Sequence, residues 1–361
     1  MIDWAIPGGT WFNRVILVLA VLAVCLPAGG CSDDDPVSPS PGPELEVTWP
    51  EARSLWSRSA APHHGLDPEY VAATGDARQF APAARVETRW FLPHDPVYRR
   101  YLEPHAEGDV RAQIEPTLEL YLRAEDGVWE ACSWGGITRG LGVKGISLDP
   151  WVHLEVWVND FTVDPQMRRG RLHFDFGFLD EDFAWPQDGT GEMITGTYQD
   201  EDADGDGVFT YLEDLGLDGI PSSSDLYGVE YGSGADPFPY INGTEHNQIH
   251  DHEDLDGDGA FETFEACFTL AVDLSDTPAF VDVLADYPTS ETGELADLGQ
   301  TWRGFRLPLA SARVVSSPPE MRAPDPDHVT HLRIWYEDQS AGGGSARRLQ
   351  LARMAFTAEE P

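Results

Sequence analysis

RLHFDFGF, residues Arg171–Phe178, carries an apolar side chain at every second position, namely Leu172, Phe174, Phe176 and Phe178. Successive side chains of a β-strand point to opposite faces of a sheet, so this alternation predicts a strand with one buried face. The same period recurs in several other runs after about residue 80, and Gly, Pro and Asp separate them. These runs are VETRW (86–90), LELYL (118–122), LEVWV (154–158), FTLAVDL (268–274), WRGFRLPL (302–309), HLRIWYE (331–337) and RRLQLARMAF (347–356).

About eight alternating strands without a convincing long helix predict an all-β fold. One apolar and one polar face per strand is typical of antiparallel sheets that pack face to face. We therefore expect a jelly-roll-like antiparallel β-sandwich of the galactose-binding-like type. The module is predicted to span residues 85–357, after an N-terminal extension at 46–84, and a β-bulge is expected near Ala352.

Two segments follow the pattern D-x-D-G-D-G-x-F-x-x-x-E and begin 52 residues apart: DADGDGVFTYLE (202–213) and DLDGDGAFETFE (254–265). Calcium takes oxygen ligands, and a twelve-residue loop supplies them from positions 1, 3, 5, 7, 9 and 12, with a glycine turn at position 6. The alternative is a solvated acidic turn. The predicted ligands are Asp202, Asp204, Asp206, the Val208 carbonyl, Thr210 and Glu213 in the first loop, and Asp254, Asp256, Asp258, the Ala260 carbonyl, Glu262 and Glu265 in the second.

The residues that follow each loop argue against a helix–loop–helix sensor. DLGLDGIP (214–221) contains two glycines and a proline, which exclude a stable helix, and ACFTLAVDL (266–274) alternates like a strand. Residues 180–265 are therefore predicted to form a long acidic calcium-binding insertion between two core strands. Two calcium sites are expected, and the surplus acids Asp214, Asp218 and Asp225 offer oxygens for a third.

The charge of the chain is extreme and concentrated. The formal net charge is −40, and residues 172–302 contain no Lys or Arg. Without bound cations this stretch would repel itself, so we expect metal binding and folding to be coupled. Nucleic-acid binding is disfavoured, because phosphate contacts need a basic surface.

The N-terminus resembles a secretion signal. The apolar run VILVLAVLAVCL (15–26) is too short to span a bilayer and precedes PAGGC, which resembles a lipoprotein cleavage site. Residues 1–30 are predicted to be a signal peptide, Cys31 a lipidated N-terminus, and 31–45 a Pro/Ser/Asp-rich tether. The expected location is the cell envelope, where the protein would be an outer-membrane lipoprotein that is periplasmic or surface-exposed. An uncleaved anchor and a signal without lipid are the alternatives.

Two cysteines remain beyond this segment, Cys132 and Cys267. In an oxidising compartment they are able to form a disulfide. The alternative is two buried free thiols, and the sequence leaves the choice open.

Several phrases occur in the order found in the repeated soluble module of the SprA/Sov family, giant cell-surface proteins of gliding motility and type IX secretion. The chain resembles that module from about residue 85 to residue 356. The resemblance implies a surface-exposed, calcium-stabilised β-module and not the family's translocon role. The phrase SWGGITR (133–139) is interpreted as a tight packed turn. The phrases are RWFLPHDPVYRRYLEP (89–104), SWGGITRGL (133–141), HLEVWVNDF (153–161), RLHFDFGFLDEDF (171–183), EDLGLDGIP (213–221), INGTEHN (241–247), EDLDGDG (253–259) and FRLPL (305–309).

No G-x-S-x-G, H-E-x-x-H or P-loop motif is present, and we expect a non-enzymatic module with a structural or partner-binding role. A carbohydrate-binding module or adhesin is the first alternative, with Trp157 and Trp335 as candidate sugar platforms. A glycan-active enzyme is the second, with Glu87, Glu119 and Glu155 on one strand face. A transition-metal site is a third alternative, formed by His246, His250, Asp251 and His252.

Overall fold

The structure is a computed structural model. The predicted signal peptide, Cys31 and most of the predicted tether lie outside the residues that it describes. Those residues are 44–46, 56–91, 97–124, 128–186, 193–202, 204–214, 217, 250–276, 281–287, 289–319, 323–338 and 346–358.

Short helices and many strands make up the described part of the chain. The helices are α1 (Pro68–Thr74), α2 (Val283–Asp286) and α3 (Thr289–Asp297). The strands are β1 (Glu44–Glu46), β2 (Trp56–Arg58), β3 (Glu87–Phe91), β4 (Val97–Tyr98), β5 (Ile114–Glu115), β6 (Thr117–Arg123), β7 (Trp134–Gly140), β8 (His153–Asn159), β9 (Arg171–Phe178), β10 (Trp185–Pro186), β11 (Met193–Ile194), β12 (Glu265–Asp273), β13 (Val281–Asp282), β14 (Arg303–Pro308), β15 (Arg313–Ser317), β16 (His331–Glu337) and β17 (Ala346–Thr357). None of the described helices has the length and apolar character needed to cross a membrane.

Two antiparallel sheets carry the fold. Sheet A has the order β13-β14-β8-β17-β6-β3, and β1 also pairs with β17. Sheet B has the order β15-β12-β9-β16-β7-β2. Eight of these strands form four nested pairs, in which β6 pairs with β17, β7 with β16, β8 with β14 and β9 with β12. Strands wound as nested pairs over two sheets form a jelly roll, so the predicted antiparallel jelly-roll sandwich is confirmed.

The inward faces of the two sheets form the core, as the alternation predicts. Leu120 of β6, Val156 of β8 and Phe174 of β9 are fully buried in one hydrophobic cluster. The bulge in β17 is also confirmed, because its register with β8 shifts between Ala352 and Ala355. Arg353 within the bulge has a left-handed backbone, with φ of 45°.

The interpretation of SWGGITR as a tight turn is wrong. Its residues from Trp134 onward lie in β7, which pairs with β16 on one side and β2 on the other. A Cβ at Gly135 would lie 2.5 Å from Leu122 Cδ2, and one at Gly136 would lie 2.5 Å from Trp335 Cβ. The glycines are therefore needed for the close approach of neighbouring elements and not for a turn.

The substitution Gly136→Ala is expected to lower the free energy of unfolding by about 1–3 kcal/mol, because the new methyl group would also meet the Ile334 carbonyl and cannot be relieved by a side-chain rotation. Gly293→Ala in α3 is the matched control. No atom lies within 4 Å of a Cβ built there, so a gain of about 0.5–1 kcal/mol is expected. Urea denaturation measures both, and equal effects of the two substitutions would contradict the close approach.

The described part of the predicted N-terminal extension (46–84) and the last two residues of the predicted tether (31–45) belong to the sandwich. Strand β1 pairs with β17, and β2 forms the edge of sheet B beside β7. Between β2 and β3 the chain covers the outer face of sheet B, where Phe80 packs against Trp335 at 4.9 Å between ring centroids. The module therefore begins before the predicted boundary at residue 85.

This cover buries a layer of charged side chains on the outer face of sheet B. Asp175 accepts hydrogen bonds from Arg333 Nε at 2.8 Å and from Trp335 Nε1 at 2.8 Å. His64 Nε2 lies 3.2 Å from Asp175 Oδ1, and Arg333 also pairs with Glu265. Asp175, Arg333 and Glu265 are all fully buried. The layer is closed to solvent and links β9, β12 and β16.

The structure does not contain the disulfide that the sequence left open. Cys132 and Cys267 are both free thiols. Cys267 lies in β12, while Cys132 lies just before β7, and two strands separate β12 from β7 in sheet B. At about 4.8 Å per strand, this spacing far exceeds the reach of a disulfide.

Candidate metal centres in the acidic insertion

The acidic insertion is the segment between β9 and β12, which are neighbours in sheet B. Phe178 near its start pairs with Ala266 near its end, so the chain leaves and re-enters the sandwich at one point. Both predicted calcium loops lie on this segment. The insertion that carries the two loops is therefore attached at one end of sheet B.

The first loop brings its three aspartates together. One carboxylate oxygen from each of Asp202, Asp204 and Asp206 lies within 4.8 Å of the others. Asp202 accepts hydrogen bonds from the backbone N–H of Asp206 at 3.2 Å and of Gly207 at 2.8 Å, which fixes the turn. The cluster faces solvent, since Asp204 and Asp206 are exposed.

The second loop brings two of its aspartates together with a residue from outside the loop. Carboxylate oxygens of Asp254, Asp256 and Glu181 lie within 4.8 Å of one another, and all three residues are buried. Asp254 accepts from the N–H of Asp258 at 3.1 Å and of Gly259 at 2.9 Å, which repeats the turn of the first loop.

The glutamate at position 12 of each loop does not lie with the aspartates of that loop. In the first loop, Glu213 Oε2 accepts from the Thr210 N–H at 2.8 Å and from Thr210 Oγ1 at 2.6 Å, so these two predicted ligands bind each other. In the second loop, Glu265 accepts from Arg333 Nη1 and from the His63 N–H at 3.0 Å. Neither glutamate is brought to the aspartates of its loop.

The remaining predicted ligands lie in the same turns. The N–H of Val208 donates to Asp206 at 2.7 Å, and the N–H of Ala260 donates to Asp258 at 2.7 Å. The Glu262 N–H donates to Glu181 Oε2 at 3.2 Å, which places Glu262 beside the second cluster.

The second cluster fits a cation on chemical grounds. Glu262 is only 7% exposed, and its Oε2 has no hydrogen-bond partner among the described residues. Burial raises the pKa of Glu181 to about 7, and burial together with the Glu181 carboxyl raises the pKa of Glu262 to about 8. Buried carboxylates are costly unless paired or bound to a metal. Hard oxygen donors in this number suit calcium.

The two loops are related by an approximate two-fold arrangement that the sequence reading missed. Asp200 and His252, each two residues before its loop, form an antiparallel bridge. The carboxylate of Glu253 accepts from the Gln199 N–H at 2.8 Å, and that of Glu201 accepts from the Asp251 N–H at 2.8 Å. Equivalent residues of the two loops therefore make equivalent contacts.

The aromatic residues at position 8 extend the same arrangement. Phe209 of the first loop stacks on His250, at 5.4 Å between ring centroids, and Phe261 of the second loop meets Tyr198 at 5.6 Å. Each aromatic partner stands four residues before the first aspartate of the other loop. The repeat with a 52-residue offset therefore begins at Tyr198 and His250, before the acidic pattern, which is the signal that predicts the pairing.

The third calcium site and the transition-metal site are described only in part. Asp214 is fully buried, whereas Asp218, Asp225 and His246 lie outside the described residues. His250 Nε2 lies 2.5 Å from Asp200 Oδ1, so this imidazole is held by a carboxylate.

The carboxylates proposed for glycoside hydrolysis are bound by arginines. Glu87 pairs with Arg123 at 2.5 Å, and Glu119 accepts from Arg348 Nη2 at 2.9 Å. Glu155 pairs with Arg306 at 2.6 Å. On this face of sheet A, each of the three glutamates is therefore neutralised by an arginine.

The two tryptophans proposed as sugar platforms are buried. Trp157 is 6% exposed and Trp335 is 0% exposed. Trp335 stacks on His173 at 3.8 Å between ring centroids, beneath the N-terminal cover. Neither ring is presented to a ligand on the surface.

No protein-family model matches the sequence, and no curated protein matches it. Among solved structures, the chain is similar to the Family 11 carbohydrate-binding module of the cellulosomal cellulase Lic26A-Cel5E of Clostridium thermocellum, at 7% identity and a TM-score of 0.34, over 89% of this chain and 97% of that chain. It is also similar to CBM28, a carbohydrate-binding module specific for non-crystalline cellulose, at 7% identity and a TM-score of 0.26, over 84% of this chain and 89% of that chain. At these scores the similarities carry no argument about a ligand, and the jelly roll follows from the chain's own strand order.

Proposed function

We propose that this protein is a calcium-stabilised module of the cell envelope with a structural or partner-binding role. The observation that supports calcium most strongly is the cluster of Glu181, Asp254 and Asp256, three buried carboxylates with converging oxygens. No Lys or Arg occurs between residues 172 and 302 to neutralise them from within the same segment. Calcium would hold the insertion in one conformation on the jelly roll and so define the surface offered to a partner.

The proposed location in the cell envelope rests on the sequence of the N-terminus. The apolar run at 15–26 and the small residues before Cys31 support a lipid-anchored form, and an extracytoplasmic compartment would supply calcium. The resemblance to the SprA/Sov module supports the same location at the cell surface. The partner, a protein or a glycan, would then be reached from a membrane-anchored position.

Substituting Cys31→Ser is expected to release the protein from membranes. The substitution removes the thiol that would carry the lipid and leaves the described domain unchanged. Fractionation of cells into membrane and soluble pools, followed by detection of the full chain, measures the release. Cys132→Ser is the matched control and is expected to stay with the membranes. Membrane association of the Cys31→Ser variant equal to that of the unchanged protein would contradict the lipid anchor.

Carbohydrate binding is the alternative function, and the exposed aromatic side chains of the insertion are where it would reside. Tyr198 and Tyr211 are 40% and 69% exposed, in contrast to the buried Trp157 and Trp335. Aromatic faces are what sugar rings stack against, so these tyrosines would supply the platform. A glycan array with the calcium-loaded protein distinguishes the two functions. Retention on a glycan that is lost in a Tyr211→Ala variant would favour carbohydrate binding, and an array without retention favours the structural role.

A further inference from the structure

We infer that Glu181 is a ligand of the ion in the second loop in place of Glu265, so that this ion ties the insertion to the sandwich. This inference rests on the proposed binding of calcium. It changes the role of the ion, because a ligand set confined to one loop orders that loop alone. A ligand from the end of β9 joins the loop to the jelly-roll sheet.

The position of Glu181 supports this role. Glu181 stands three residues after the end of β9, and its N–H donates to the Glu262 carbonyl at 2.9 Å. Its Oε1 accepts from the Leu255 N–H at 2.6 Å and lies 3.0 Å from His331 Nε2. These contacts aim the carboxylate at the turn of the second loop and hold it there from β16.

Glu265 is held in a different site. It is the first residue of β12, and its side chain lies on the outer face of sheet B with Arg333. Its second oxygen accepts from the His63 N–H at 3.0 Å. Both oxygens are thus bound within the buried charged layer, and withdrawing Glu265 to a metal would leave the Arg333 guanidinium with Asp175 alone.

A second observation points to an ion at the Glu181 cluster. Glu262 Oε2 is buried without a hydrogen-bond partner among the described residues. The N–H of Glu262 donates to Glu181 Oε2 at 3.2 Å, so Glu262 stands beside the cluster of Glu181, Asp254 and Asp256. Four acidic residues thus lie close together, and the imidazole of His331 contacts Glu181 there. A divalent cation satisfies the orphaned oxygen and the surplus charge together.

The second loop also packs closely against the sandwich. A Cβ at Gly140, the last residue of β7, would lie 1.7 Å from the Leu255 carbonyl oxygen. Leu255 is the loop residue whose N–H binds Glu181. The absence of a side chain at Gly140 therefore lets the second loop settle against β7, where Glu181 reaches it. Among the residues that the structure describes, no carboxylate from outside the first loop joins its cluster of Asp202, Asp204 and Asp206.

Calorimetric titration of the full chain with calcium chloride tests the inference, with native mass spectrometry to count bound ions. The unchanged protein is expected to bind one ion at each loop. Glu181→Gln is expected to weaken the second site at least about 100-fold, since even residues that only orient a metal ligand commonly contribute 10–100-fold. Glu265→Gln, the matched control, is expected to keep both ions near unchanged affinity. Asp202→Asn is expected to lose the first site alone and so assigns the two titration steps.

Each outcome has a defined meaning. Unchanged affinity in Glu181→Gln, or loss of an ion in Glu265→Gln, would overturn the inference and leave calcium binding itself intact. Failure of the unchanged protein to bind calcium would overturn the proposed function and the inference with it. If Glu181→Gln fails to fold, Glu181→Asp serves instead. It keeps the charge but withdraws the carboxylate by one methylene, and the inference requires that it weaken the second site alone.

Discussion

Removal of calcium is expected to lower the melting temperature of this protein by about 10 °C or more. An ion present at a thousandfold excess over its dissociation constant stabilises the folded state by about 4 kcal/mol, so two sites contribute about 8 kcal/mol. For a domain of about 300 residues, each kcal/mol shifts the melting temperature by roughly 1.5 °C. The physical cause is the repulsion of buried carboxylates such as Asp254 and Asp256 once the ion is gone.

Differential scanning calorimetry in calcium and in chelator measures this shift. Magnesium is the control ion, because it demands a small octahedral site and keeps its waters, so it should restore little of the loss. A variant with Asp202→Asn and Asp254→Asn should melt at the same temperature with and without calcium. Identical melting curves of the unchanged protein in calcium and chelator would contradict a structural role for the ion.

Truncating Arg333 is expected to lower the free energy of unfolding by about 3–5 kcal/mol. In Arg333→Met the apolar stem is retained, but Asp175 and Glu265 lose the guanidinium that both of them bind. Burial alone would raise the pKa of the Asp175 carboxyl, but His64 and Arg333 beside it hold that pKa well below its usual range. Without it, the fully buried carboxylates must take up protons or remain uncompensated.

Arg306→Met is the matched control for this substitution. Arg306 pairs with Glu155 on sheet A, but its side chain is 45% exposed, so a loss below about 1 kcal/mol is expected. A combined variant with Arg333→Met, Asp175→Asn and Glu265→Gln should regain part of the lost stability, because it removes the buried charges together. Chemical denaturation in saturating calcium measures all three, and equal losses for Arg333→Met and Arg306→Met would contradict the buried layer.

The inner faces of the sandwich were predictable from sequence because burial on one side imposes a period of two. Leu172, Phe174 and Phe176 show this pattern and lie in the core. The outer face of sheet B was not predictable. His173 and Asp175 alternate with the core residues as solvent-facing side chains would, yet they are 3% and 0% exposed. Their cover comes from residues 59–86, far earlier in the chain, and no local pattern records that contact.

Only those parts of the candidate site that lie within one short stretch of sequence were predictable. The aspartates of each loop follow from a fixed spacing that the turn itself requires. Glu181 lies 73 residues before Asp254, so a twelve-residue pattern does not contain it. Glu265 matches the pattern, but β12 begins at that residue and directs its side chain to Arg333. At position 12 of the second loop, the orientation of Glu265 is therefore set by strand β12 and not by the calcium-loop pattern.

The most direct measurement of the central claim is the calcium content of the protein. The full chain is purified in buffer with calcium, freed of loosely held ions by gel filtration, and assayed by atomic emission alongside the variant with Asp202→Asn and Asp254→Asn. We expect about two calcium ions per chain in the unchanged protein, one for each described loop, and none in the variant. Equal calcium in the two proteins, or none in either, would contradict the account.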